Sequence, residues 1–220
     1  AVVDITPPPG LPKAGYSANA HDGSGFRSRL RAAVLHLRHG QTSLAIVQCD
    51  LLGGSSVDQH LVAEAIASRT DISLAGLFIG ATHTHAGPGQ FLGTDFYNRF
   101  ASNQGGFDPD FASYLVDHIA SAVIEAHDSR GPAVLATGSR DVWGLTRNRS
   151  LDAYVRNEEV TDTRTTPERK FLAVNPAMHL IRVDRLVDGR VPGDGPGATT
   201  PLSANVIFSV HGTGIPMTAD

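Results

Sequence analysis

The sequence predicts an α/β protein whose core is a mixed β-sheet flanked by helices. Three observations carry that prediction. Short apolar runs bounded by turn residues alternate with stretches of helical periodicity. Two pairs of strand-like runs are joined as hairpins, which argues against a purely parallel, doubly wound sheet. The apolar fraction of 41% and the charged fraction of 18% suit a soluble chain with a real core.

The first thirty residues read as mostly irregular, because Pro7, Pro8, Pro9, Gly10 and Pro12 punctuate them and Gly15, Gly23 and Gly25 follow. Ala32 to Arg38 and Ser43 to Asp50 read as strands joined by a turn at Gly40 and Gln41. The second strand is almost continuously apolar (Leu44, Ala45, Ile46, Val47) and is expected to be central. Ser55 or Ser56 caps a predicted helix running to Arg69, with Val57, Leu61, Val62, Ala65 and Ile66 on one stripe. Leu74 to Gly80 reads as a third strand and Thr82 to Phe107 as one long loop, a length that usually signals function. Asp108 then caps a helix with Pro109 at its first position and Phe111, Leu115, Ile119, Val123 and Ala126 at helical spacing.

Pro132 to Ser139 reads as the next strand, Gly144 to Asn157 as a loop with a short helix, and Thr161 to Lys170 as an exposed charged stretch. Met178 to Leu186 alternates as a strand should. Val187 to Pro201 is a Gly- and Pro-rich hairpin loop, and Ala204 to Val210 is the last strand, delivering His211 to its end. No internal repeat is visible.

Length and charge bound the function. A chain of 220 residues suits one large domain or part of one. A formal net charge of −4 without a Lys/Arg block argues against a nucleic-acid partner, since phosphate binding needs a concentrated basic footprint. No apolar run approaches the roughly 18 residues that span a bilayer, which still leaves peripheral contact with a membrane or with detergent-dispersed lipid. Cys49 is the only cysteine, so an intramolecular disulfide and a Cys-based zinc site are excluded. The chain starts at Ala1 rather than Met: either a leader has been lost, the reading behind the expectation of a secreted or periplasmic protein, or the sequence simply starts here. It stops at Asp220, ten residues past a strand end and in an apolar-rich run where a complete domain seldom ends, so residues 1–220 are expected to be truncated or cleaved from a larger domain.

Ten histidines make a histidine metal site worth seeking. His83 and His85 follow an apolar run and precede Gly87-Pro88-Gly89. In a strand, residues two apart face one way, so both imidazoles can converge on one ion, or one can bind it while the other faces substrate. The spacing is equally that of two hydrogen-bonded histidines at a strand end. His211 repeats the arrangement: an apolar run ends in His211-Gly212-Thr213. If the two strands are neighbours, His83 and His211 can share an ion. Asp50 ends another apolar strand, where it orients a ligating histidine or caps a turn. Phe91, Leu92, Phe96 and Tyr97 either form the mouth of a substrate groove or anchor the long loop.

The chain resembles the N-terminal part of the neutral/alkaline (non-lysosomal) ceramidases. The stretches that carry the resemblance are Asp4-Ile5-Thr6-Pro7, Ala45 to Leu51, Ala81-Thr82-His83-Thr84-His85-Ala86-Gly87-Pro88-Gly89, Asn148-Arg149-Ser150 with Ala153-Tyr154, and Phe208 to Thr213. They occur in the family's order over the whole chain. The resemblance implies a Zn2+-dependent amidohydrolase that cleaves the N-acyl bond of ceramide to fatty acid and sphingosine. It makes His83 and His211 metal ligands, sets His85 against the substrate or the bound water, and places Arg149 in the site. Asn148-Arg149-Ser150 is formally a glycosylation sequon, a reading that yields to the active-site one.

The chain also departs from the family. The family's remaining zinc ligands, a Glu and a Tyr, and a Ser in a Gly-Asp-Val-Ser-type motif lie far downstream, as does a C-terminal β-sandwich, and none of them is in these residues. Gln90 stands where the family more often has Gly. The implied partners are a ceramide or other N-acyl lipid and the remaining part of the catalytic domain. Competing readings are a metal-dependent hydrolase of another amide or ester, and a non-catalytic half-domain. His21, in the Gly-rich N-terminal loop, is a further residue within reach of such a site, while His36, His39, His60, His118, His127 and His179 read as structural or surface histidines.

Overall fold

The structure, a computed structural model, describes residues 1–188, 190, 198–212 and 214–218. The chain divides into two compact units, Ala1–Arg130 with Gly212–Asp220, and Gly131–His211.

The first unit is built on a four-stranded sheet in the order β1 (Val2–Asp4), β2 (Arg31–His39), β3 (Thr42–Cys49), β4 (Leu77–Ala81). β2 pairs antiparallel with β1 and with β3, while β3 and β4 are parallel, with Val47 opposite Val34 on one side and Ile79 on the other. The sheet is therefore mixed, as expected, and β3 is hydrogen-bonded on both edges. The parallel step needs a crossover, and α1 (Ser56–Ile66) supplies it. α2 (Asp95–Ala101) and α3 (Pro109–Asp128) follow.

The caps explain where the helices start. Ser55 Oγ accepts the Asp58 N–H at 3.3 Å, and Asp108 Oδ1 accepts the N–H groups of Asp110 and Phe111, both at 3.0 Å. α3 packs on β2 and on α1. Its stripe of Phe111, Leu115, Ile119 and Val123 joins Ile5, Ala32, Val34, Ala45, Val47, Val62 and Ile66 in one buried core. Burying each large member contributes about 1.5–3 kcal/mol.

The second unit is a three-stranded antiparallel sheet, β5 (Ala133–Asp141), β6 (Ala177–Leu186) and β7 (Thr199–Phe208), in that order. An irregularity shifts the β6–β7 register at Val183/Asp184. α4 (Leu151–Tyr154) and α5 (Arg169–Leu172) lie in the connection between β5 and β6.

Several sequence expectations change. Val2–Asp4 is a strand inside the region read as irregular, paired to Arg31–Ala33. α1 ends at Ile66 rather than Arg69, because Thr70 Oγ1 takes the Ile66 carbonyl and closes the last turn. Leu74–Gly76 is a single 3-10 turn, and the strand begins only at Leu77. The long loop contains α2, which Thr94 caps. Within the hairpin loop read over 187–201, residues 199–201 already belong to β7, and residues 189 and 191–197 lie outside the described residues.

Candidate functional site

β4 ends at Ala81, so the Thr-His-Thr-His stretch is not a strand. It instead runs along the loop that leaves β3: the Thr82 N–H donates to Cys49 O at 2.9 Å and the Thr84 N–H to Leu51 O at 3.2 Å. His83 sits between them with φ +59°, in the left-handed region that few non-glycine residues adopt. The expectation that alternation along a strand aligns the two histidines is therefore replaced by a turn. The turn achieves the same end: the His83 and His85 rings meet edge-on, centroids 5.1 Å apart at 77°. Each offers a ring nitrogen within 4.8 Å of the other's.

His83 is oriented by backbone. Its Nδ1 is 2.6 Å from the carbonyl oxygen of Leu52. A carbonyl only accepts, so Nδ1 carries the proton and Nε2 keeps a lone pair. Asp50 does not take this role. Its Oδ2 accepts the Arg31 N–H at 3.0 Å and its Oδ1 the Thr82 hydroxyl at 3.2 Å, so it is a carboxylate that ties loops together.

His85 is buried, and the N-terminal segment builds its seat. Tyr16 stacks edge-on against it at 5.1 Å and 79°, and the Tyr16 hydroxyl donates to the Ile215 carbonyl. Gly15 has φ +115°, and a Cβ there would lie 2.4 Å from His85 Cγ. Only glycine satisfies both the backbone and the close approach. The Gly87-Pro88-Gly89 stretch is zipped to the same segment. Ala14 N–H donates to Gly87 O at 3.0 Å, and Gly89 N–H to Pro12 O at 2.7 Å.

Sequence reading missed Gly15 and Tyr16. The signal was present in the run of glycines and prolines before Tyr16, but nothing in one sequence pairs that segment with residues seventy positions on.

His21 does not reach the histidine pair. Its Nε2 lies 3.3 Å from Lys13 Nζ, and its Nδ1 is bonded to Asp22 O at 2.9 Å. The four candidates for a groove mouth separate. Phe91 is fully buried in the core and Leu92 packs against it, whereas Phe96 and Tyr97 on α2 are exposed. Asn98, also missed, is buried and holds the loop by bonding both the N–H and the carbonyl of Leu92, at 3.1 and 2.8 Å. A cavity of about 100 Å³ lies behind Thr84 and Pro88, walled by Leu11, Phe26 and Leu30. Cys49 is buried, and desolvation with the nearby Asp50 and Asp58 carboxylates pushes its thiol up to about 12, so it is an inert packing residue.

In the second unit, β7 ends at Phe208, so His211 stands three residues beyond the strand rather than at its tip. Arg149 Nη2 is 3.5 Å from His211 Nε2, a long contact. Arg149 is placed by its neighbours. The Asn148 side-chain amide donates to Ala173 O at 3.0 Å, and Asn148 Oδ1 accepts the Ser150 N–H at 2.8 Å, an Asx turn. The amide a glycan would need is thus engaged, in line with setting the sequon aside. β4 and β7 belong to different sheets, so adjacency in one sheet is not what relates His83 to His211.

Comparison with known proteins gives a consistent result. Residues 1–218 match the family described as neutral/alkaline non-lysosomal ceramidase, N-terminal. The neutral ceramidase of Mycobacterium tuberculosis is 31% identical over 78% of this chain and 26% of its own length. Neutral ceramidase B of Dictyostelium discoideum is 28% identical over 66% of this chain and 20% of its own. The crystal structure of neutral ceramidase from Pseudomonas aeruginosa superposes with a TM-score of 0.76 at 22% identity, covering 99% of this chain and 32% of that one. The chain thus spans about a quarter of the length of the curated relatives it matches. It belongs to the neutral/alkaline non-lysosomal ceramidase family.

Proposed function

We propose that this chain contributes the histidine half of a zinc-dependent amidohydrolase, which cleaves the N-acyl amide of ceramide-like lipids to a fatty acid and a sphingoid base. The observation that carries the reading is the His83–His85 pair, with His83 Nδ1 donating to the Leu52 carbonyl, which makes Nε2 the nitrogen whose lone pair can ligate a metal. Imidazole nitrogens without a thiolate suit a catalytic zinc. A backbone carbonyl on the far ring nitrogen is a usual support for a metal-bound histidine. By the family pattern His83 and His211 hold the ion, and a Glu and a Tyr from elsewhere in the full-length protein complete its shell. The segment that follows His211 belongs to the same unit as the His83–His85 pair, where Ile215 takes the Tyr16 hydroxyl.

When bound, the ion would supply Lewis acidity, lowering the pKa of a water toward neutrality and polarising the amide carbonyl. The chain's own residues do the rest. His85 moves the proton, from water as it adds to the carbonyl carbon and to the nitrogen as the C–N bond breaks. Its seat against Tyr16 and Gly15 keeps the ring from rotating away. Arg149 holds developing negative charge or a substrate hydroxyl through its guanidinium.

The test is side-by-side hydrolysis by zinc-loaded full-length protein of an N-acyl sphingoid lipid, a phosphoester and a peptide amide. Release of fatty acid from the first alone is expected. Turnover of only the phosphoester or the peptide amide moves the reading to another hydrolase, and turnover of none removes it.

A further inference from the structure

Away from the histidine pair, at the opposite end of β3, the first unit holds a second polar cluster. Ser43 is the second residue of β3 and Asp50 follows its end, about 23 Å away at strand rise. His36 Nε2 is 2.7 Å from Ser43 Oγ, and Ser43 Oγ is 2.8 Å from Asp71 Oδ1. Asp71 Oδ1 is 3.3 Å from His127 Nε2, and His127 Nδ1 is 2.9 Å from Asp128 Oδ1. The His36 and His127 rings are 5.3 Å apart. One chain of contacts therefore joins β2, β3, the loop after α1 and the C-terminal end of α3.

We propose that His36, Ser43, Asp71 and His127 form a clasp that fastens the end of α3 to the β2–β3 hairpin and that a proton on His36 releases. Hydrogen-bond logic sets the resting state. An ionised carboxylate only accepts, so the Ser43 hydroxyl donates to Asp71, and Ser43 Oγ must accept from His36. His36 is then the neutral tautomer with its proton on Nε2. Its Nδ1 is a bare acceptor, buried and without a hydrogen-bond partner among the described residues. A second proton must go there, where nothing accepts it.

The charges around His36 make that proton worse. His127 and Arg130 face it from the end of α3, and Arg38 from its own strand, while Asp71, from the loop after α1, is the one that favours it. Arg38 sits 3.2 Å from Asp71, and Arg69 3.9 Å from Asp128, so both carboxylates already have cationic partners. Burial first, then these cations, hold the His36 pKa below its ordinary value of 6.5. The sign follows. The unfolded chain takes up the proton near 6.5 and the folded chain only at lower pH. The contribution is complete above about 6.5, and the folding equilibrium weakens by up to about tenfold per pH unit as pH falls toward the folded value.

The test uses full-length protein and His36→Gln, whose amide nitrogen keeps the donor to Ser43 but cannot titrate. Thermal midpoints are read from pH 8 to pH 5, together with the histidine ring titrations by NMR. The expected result is that the parent loses stability below about pH 6.5, that His36→Gln loses markedly less, and that the His36 ring titrates below the other histidines. Parallel pH profiles for parent and variant overturn the proposal. So does a His36 ring that titrates at or above 6.5, a reading made on the unsubstituted protein, which stands even if the variant does not fold.

Discussion

Gly15 illustrates how much of the site rests on single positions. Its φ of +115° and the 2.4 Å approach of a hypothetical Cβ to His85 Cγ leave no room for a side chain. Gly15→Ala is expected to cost about 1–2 kcal/mol from backbone strain alone, read by urea unfolding. On the proposed function it should also lower amide hydrolysis by at least tenfold, because a misplaced catalytic group loses rate steeply. Normal activity in a folded Gly15→Ala protein would contradict the seat. Gln90 is the converse case. It has φ +60°, in the left-handed region that favours glycine. Its side chain offsets the strain by donating to Gly105 O at 2.7 Å, and its carbonyl accepts the Asp108 N–H at 2.8 Å. Gln90→Ala keeps the strain and loses the side-chain bond, so it should cost about 1 kcal/mol and be worse than Gln90→Gly. The reverse order in urea unfolding would show that the side chain carries no weight. Neither His83 nor Gln90 betrays a positive φ in the sequence, which is why Thr82 onward was legible as loop while the turn that brings His83 to His85 was not.

Helices with strong signals were legible and short or tertiary-dependent elements were not. Asp108-Pro109 followed by an apolar stripe named α3 almost to the residue, because the cap and the periodicity are local. Removing the cap by Asp108→Ala frees the Asp110 and Phe111 N–H groups and should cost about 0.5–2 kcal/mol in thermal or urea unfolding. β1 was not legible, since three residues acquire strand geometry only by pairing with β2. α2 was missed because seven residues with Phe96, Tyr97 and Phe100 exposed carry no apolar stripe. α1 hides a further feature. Burial lifts the Asp58 carboxyl to about 7, against the lowering effect of its hydrogen bond to Ser55. The folded chain keeps a proton that the unfolded chain releases near pH 4. The resulting stability is full below about pH 4 and is lost as pH rises through 7, by up to about 1.4 kcal/mol per pH unit. Asp58→Asn should remove that slope, matching the parent at pH 4 and exceeding it at pH 8. A variant less stable than the parent at pH 8 would count against it.

The α/β class, the mixed sheet and the family were legible because the motifs are long and lie in order along the chain, and residues 1–218 match that family. The division into two units was not, since no break in composition falls near Gly131. The histidine candidates were legible as residues but not as geometry. His83 and His85 meet through a left-handed turn, with Leu52 rather than Asp50 as the orienting group, and Arg149 contacts His211 from an Asx turn. In the proposed function the family pattern makes His83 and His211 the zinc ligands. The direct test is elemental analysis of the full-length protein and of its His83→Ala and His211→Ala variants. About one zinc per chain, lost in both folded variants, is the predicted result. No metal, or a metal content indifferent to both substitutions, would contradict the shared site and take the zinc-hydrolase reading with it.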